Sequence, residues 1–155
     1  MVKPVLTNAR ALHIDLESKR ETEIFKWFLA CLLFGKPIQT EIAAQAYHEL
    51  VAERLTSPQA ILRAGWDKLV AVLDRAHYVR YDFSTATKLL EVCGELEHRY
   101  GTLSNLLAQS RTPAELSRRL QEFKHIGPVT ARVFLRDVRP IWYATASRVG
   151  RPRAA

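Results

Sequence analysis

Cysteine is scarce: only Cys31 and Cys93 occur, far apart and each inside an apolar, helix-like stretch. That excludes a disulfide framework and a four-cysteine iron–sulfur cluster, and it predicts two buried thiols. No apolar run reaches the roughly 18 to 20 residues needed to cross a bilayer. The first twenty residues mix Lys3, Arg10, Asp15 and Glu17 and lack a signal-peptide core. A cytoplasmic protein with no membrane partner is therefore expected. Strand-like alternation, internal repeats and low-complexity tracts are also lacking. The five histidines, His13, His48, His77, His98 and His125, offer no pair at a metal-ligand spacing, so no metal site is expected.

Negative charge is scarce in one region. Residues 110–155 carry ten of the 23 basic side chains, namely Arg111, Arg118, Arg119, Lys124, Arg132, Arg136, Arg139, Arg148, Arg151 and Arg153. Against them stand Glu115, Glu122 and Asp137, three of the 16 acids, so the rest of the chain is balanced and the net charge of +7 belongs to the last third. Nine of those ten are arginines, whose planar fork matches phosphate oxygens, so a polyanionic partner is indicated. A merely solvated basic surface is the alternative.

What is present is helical periodicity throughout, in a chain of 155 residues that is 48% hydrophobic and long enough for one core. The spacing of Ile24, Phe25, Phe28, Leu29, Leu32 and Leu33 predicts a core helix over 21–34. Gly35, Lys36 and Pro37 break it, and an alanine-rich helix follows over 38–55. Thr56 and Ser57 before Pro58 start a short helix that Gly65 stops, with another from Trp66 to Arg75. A long amphipathic helix is expected over 82–100, capped by Asp82 or Ser84 and ended by Gly101. Two more span 102–110 and 112–122, and a last one runs from Pro128 to about Val138, before Pro140. The expectation is an all-α, compact multi-helix domain over residues 1–143 with a basic, poorly ordered tail over 144–155.

The segment Leu120-Gln121-Glu122-Phe123-Lys124-His125-Ile126-Gly127-Pro128-Val129-Thr130-Ala131-Arg132 resembles the hairpin of the helix-hairpin-helix DNA glycosylase superfamily, the endonuclease III-like (HhH-GPD) fold of base excision repair. Phe123, Ile126, Gly127, Thr130 and Ala131 match in type and spacing. The resemblance covers roughly residues 21–138 in organisation, and implies a C-terminal helix-hairpin-helix motif and a DNA partner. Within a bacterium it would place the protein at the nucleoid. In such a hairpin, outward N–H groups and the helix dipole hold a phosphate without reading a base. The implied DNA contacts are Lys124, His125, Gly127, Val129, Thr130 and Arg132, with Gln39 as a wedge into the gap left by a flipped base. The resemblance also allows a monovalent cation at the turn carbonyls, and no other cofactor. The residues alone equally describe a structural corner, with Gly127 ending a helix and Gln39 on its surface.

Departures from the family bear on catalysis. His125 replaces the first glycine of the turn, which makes the turn harder to build. Val129 stands where bifunctional members place a nucleophilic lysine, so a Schiff-base lyase is not expected. The region that should hold the family's aspartate, Trp142–Arg148, contains no carboxylate, which leaves Asp137 and Asp82 as weak catalytic candidates. The run His77–Phe83 mixes aromatic and basic side chains, suited to base stacking or to core packing. Trp27, Trp66 and Trp142 read most simply as core or edge aromatics. The expected function is thus non-sequence-specific DNA binding without base excision. An active monofunctional glycosylase is the alternative, and a helical protein-interaction domain a weaker one.

Overall fold

The most apolar stretch of the chain becomes its central element. In the computed structural model, which describes residues 7–148 and their side chains as far as Trp142, α1 (Glu21–Leu33) is buried all round from Ile24 to Leu33, save Lys26. A helix that is hydrophobic on every face has to be enclosed, and α1 is enclosed by α2 (Thr40–Ala52), α5 (Leu103–Gln109) and α7 (Pro128–Arg148). The remaining helices are α3 (Pro58–Arg75), α4 (Asp82–Arg99), which packs along α3, and α6 (Pro113–Gln121), which packs on α7. The described residues form seven α-helices and three short 3-10 turns, at Arg10–Leu12, Leu16–Ser18 and Val79–Tyr81, with no strand. The fold is all-α, and none of its helices is long and apolar enough to cross a membrane.

Helix starts follow local side-chain chemistry. Ser57, Thr102 and Thr112 each accept a hydrogen bond from the backbone N–H three residues on, satisfying donors that a first turn leaves without partners. At Gly65 the backbone is non-helical (φ 79°, ψ 171°), so α3 is two helical pieces joined at a kink, as the sequence predicts. The start of α4 differs from expectation. Tyr81 is its cap residue and makes no side-chain capping bond, while Asp82 lies inside the helix and accepts from the Phe83 N–H at 2.7 Å.

The C-terminal helix also differs. It runs through Pro140 to Arg148 instead of stopping near Val138, so the domain boundary expected at 143/144 falls inside α7, and residues 149–155 lie outside the described ones. A helix-interior proline costs about 3 kcal/mol. Burial of Ile141 and Trp142 beyond it supplies more than that, at about 1.5–3 kcal/mol for the aliphatic side chain alone. The Trp142 Nε1–H also donates to Leu107 O at 3.0 Å, which ties the far half of α7 to α5.

Aromatic side chains order the core around α1. Phe28 meets Phe134 edge-on at 5.5 Å and Phe123 at 6.4 Å, and Phe123 stacks on Tyr100 at 6.1 Å. Trp27 Nε1 donates to Phe134 O, so the polar end of the most buried tryptophan is satisfied. Cys31 and Cys93 are free and buried, and burial pushes the Cys93 thiol up to about 12, which leaves it a small hydrophobe.

Candidate nucleic-acid interface

The turn between α6 and α7 is pinned from below by two apolar side chains. Phe123 and Ile126 are buried, whereas Lys124, His125 and Gly127 between and beyond them face outward. Phe123 N–H donates to Leu120 O and Ile126 N–H to Phe123 O, each at 3.2 Å, so the turn is closed by its own backbone. His125 takes the left-handed conformation, φ 79°, at the position where the resembled hairpin has glycine. The turn is therefore built despite the substitution, with a histidine in backbone space that favours glycine.

At the start of α7, Gly127 O accepts from Ala131 N–H at 3.1 Å, while among the described residues no hydrogen bond engages the N–H groups of Gly127, Val129 and Thr130. Pro128 has none to offer. Gly127 carries no capping side chain, its φ is not left-handed, and a Cβ there would meet nothing within 4 Å. The fold itself does not require glycine at this place, and three N–H groups without a partner among the described residues stand at the positive end of a long helix.

The flanking charges divide into two sets. Lys124 and His125 lean onto α4: His125 Nε2 lies 2.5 Å from Glu91 Oε1, Lys124 Nζ 3.8 Å from Glu91 Oε2, and the Lys124 N–H 3.3 Å from Glu95 Oε1. The His125 contact holds the Glu91 carboxyl below the usual carboxylate range. Arg132, one turn into α7, is exposed and pairs with no carboxylate among the described residues. Gln39, the cap residue of α2, is exposed and makes no capping bond. Its loop meets the start of α7 through Gly35, where a Cβ would lie 3.1 Å from Thr130 Oγ1.

Neither weak catalytic candidate is free. Asp137 Oδ2 accepts from the Ala9 N–H at 2.8 Å and Oδ1 from Arg136 Nε at 2.8 Å, and Arg136 Nη2 reaches Thr7 O. It serves as a clasp for the N-terminal segment, on the wall of an open cleft of about 700 Å³ that also includes Arg10, His13 and Asp15. Asp82 accepts from the Phe83 N–H, and its carboxyl beside Asp74 raises the Asp74 carboxyl above its usual range. It lies nine residues before Glu91 on α4, about 13 Å along the helix from the turn.

One buried residue escapes the sequence reading. Lys88 is 5% exposed, donates from Nζ to Leu32 O at 2.8 Å, and sits where a Cβ on Gly35 would be 3.1 Å from its nitrogen. Burial, aided by Lys36, draws its pKa down to about 8. The sequence signal is a charge within the apolar stripe Thr85, Lys88, Leu89, Val92, where one would expect another leucine. Beside it Tyr78 OH donates to Leu33 O at 2.6 Å, so α4 and its preceding turn close the C-terminus of α1. Among the described residues no group of three or more His, Cys, Asp or Glu is placed to hold a metal ion. Compared with known proteins, the chain matches no family model, no curated protein and no solved structure.

Proposed function

We propose that the protein is a helix-hairpin-helix DNA-binding domain, related in organisation to base-excision glycosylases, that holds DNA by its phosphates and does not itself release bases. The observation that carries this reading is the open start of α7. Three N–H groups with no partner among the described residues stand beside a glycine that the fold does not need, and such a helix start suits a phosphate oxygen. Arg132 supplies an unpaired cation one turn away. A glycosylase reading has no comparable support, because Asp137 and Asp82 are both committed to local hydrogen bonds.

The test is equilibrium binding of duplex DNA over a salt series, with base release monitored on duplexes carrying an alkylated base. Neutralising about four or five phosphates gives a log–log salt slope near −4. Gly127→Ala leaves the unfolding midpoint where it is, since the added methyl meets open space, but weakens binding on the order of tenfold by standing between the N–H groups and a phosphate. Salt-insensitive binding, or no binding, would leave the turn a structural corner and favour a helical protein-interaction domain. Base release would return the protein to the enzyme class.

A further inference from the structure

Large hydrophobic side chains are exposed at four places among the described residues: Trp66, Val79, Phe83 and Val129. Val129 belongs to the open start of α7. The other three gather at the N-terminal end of α4, where Phe83 is 60% and Trp66 38% exposed and their ring centroids lie 5.1 Å apart. Two features build this pair outward. The kink at Gly65, in a left-handed conformation, ends the first piece of α3 immediately before Trp66, and the Trp66 Nε1–H is held by Thr87 Oγ1 at 3.1 Å. The indole is thus fixed in orientation while one side of the pair stays open to solvent.

The pair and the hairpin share one stripe of α4. Phe83, Thr87 and Glu91 follow at helical spacing and all three are exposed. Phe83 and Thr87 carry the Trp66 contact, and Glu91 carries His125 and Lys124. Eight residues of helix separate the ends of the stripe by about 12 Å. That is the length of three to four stacked nucleotides at roughly 3.4 Å each. Cations border the same end: Lys36 Nζ and Arg80 Cζ each lie 5.6 Å from the Tyr81 ring, and neither is paired with a carboxylate among the described residues. Acids stand at this end too, Asp82 with Asp74 beside it and the exposed Asp67 next to Trp66, so the cationic side is that of Lys36 and Arg80.

We infer that this face takes single-stranded DNA, an unpaired base stacking on the Phe83–Trp66 pair while the strand's phosphates run past Lys36 and Arg80 to the start of α7. A base held in a duplex has no free face to offer such a pair, whereas an unpaired base of any identity does. The inference rests on the DNA-binding reading of the hairpin and narrows it: the preferred ligand is single-stranded or gapped DNA, with intact duplex bound more weakly.

The experiment compares a labelled oligothymidine of about ten nucleotides with a duplex of equal length, at one salt concentration, for the full chain and for Phe83→Ala. Circular dichroism checks that the variant folds. Single strand should bind at least about tenfold more tightly than duplex, and Phe83→Ala should cut that ratio by roughly fivefold or more. Oligothymidine should also quench tryptophan emission. Trp27 and Trp142 are buried at 0% and 1% exposure, so the quench belongs to Trp66 and disappears in Trp66→Phe. Duplex binding with no single-strand preference, or a preference untouched by Phe83→Ala, overturns this inference and leaves the hairpin reading standing. Binding of neither DNA overturns both. A concentration-dependent dimer that Phe83→Ala abolishes, with DNA binding unaltered, would assign the patch to a second copy of the chain and overturn it as well.

Discussion

Lys88 carries a burial penalty that no carboxylate offsets. Its ammonium is favoured by Leu32 O near the C-terminus of α1, an interaction worth about 0.3–1 kcal/mol through the helix dipole. Desolvation is larger, because the net effect of the surroundings is a pKa lowered to about 8. The unfolded chain keeps its proton until about pH 10.4. Below pH 8 both states are charged and the native state bears the whole penalty. Between pH 8 and 10 the native state releases its proton first, so stability rises with pH, by up to about 3 kcal/mol in all. Urea unfolding of the wild type and of Lys88→Met at pH 7, 8, 9 and 10 isolates this contribution. The wild type should gain on the variant as pH rises, and parallel curves would show that the ammonium is solvated in the native state. A helical-wheel reading marks position 88 as anomalous, but it cannot say that the nitrogen ends at Leu32 O, since that acceptor is 56 residues away.

Among the elements, those whose boundaries depend on neighbours in sequence were legible, and those decided by packing were not. Ser57, Thr102 and Thr112 cap where their side chains predict, and Gly65 interrupts α3 because its φ of 79° is open chiefly to glycine. The passage of α7 through Pro140 depends instead on Trp142 finding Leu107 O on α5, which no local pattern announces. The α6–α7 turn lies between these cases. Its apolar anchors, Phe123 and Ile126, could be read, whereas the left-handed backbone of His125 and its contact with Glu91, 34 residues away, could not. A non-glycine residue there stores on the order of 1 kcal/mol, and a β-branched one more. His125→Gly should therefore unfold within about 1 kcal/mol of the wild type, relief of strain offsetting the lost contact. His125→Val should be destabilised by about 2 kcal/mol, as thermal denaturation would register. Equal loss in both variants would mean that the Glu91 contact, and not backbone strain, governs the turn.

Across the whole molecule, the basic side chains of the last third meet acids both from within it and, in Glu91, from outside it. Arg118 pairs with Glu122 at 3.0 Å, Arg136 with Asp137 at 2.8 Å, and Glu91 on α4 meets both Lys124 and His125. Linear counting missed Glu91 because it lies in the balanced part of the chain. Among the described residues Arg132, beside the open helix start, has no carboxylate partner, and with Lys36, Arg80 and the largely exposed Lys124 it makes a set of about four cations, which fits contact with a few phosphates better than an extended basic tract. The same closure joins the two ends of the described chain. Ala9, Leu12, Ile14 and Leu16 are buried, and the segment they belong to is fastened to α7 by the bond from Ala9 N–H to Asp137 and that from Arg136 to Thr7 O. Removing the carboxylate leaves the nearly buried Ala9 N–H without an acceptor, a cost of about 1–3 kcal/mol. Asp137→Ala should lower the urea midpoint accordingly and speed tryptic cleavage at Arg10, while leaving DNA affinity unchanged, because the clasp lies about 13 Å along α7 from the open helix start. A variant that keeps wild-type stability and cleavage but changes what the protein does to DNA would show that Asp137 is catalytic after all, and that its bond to Ala9 is incidental.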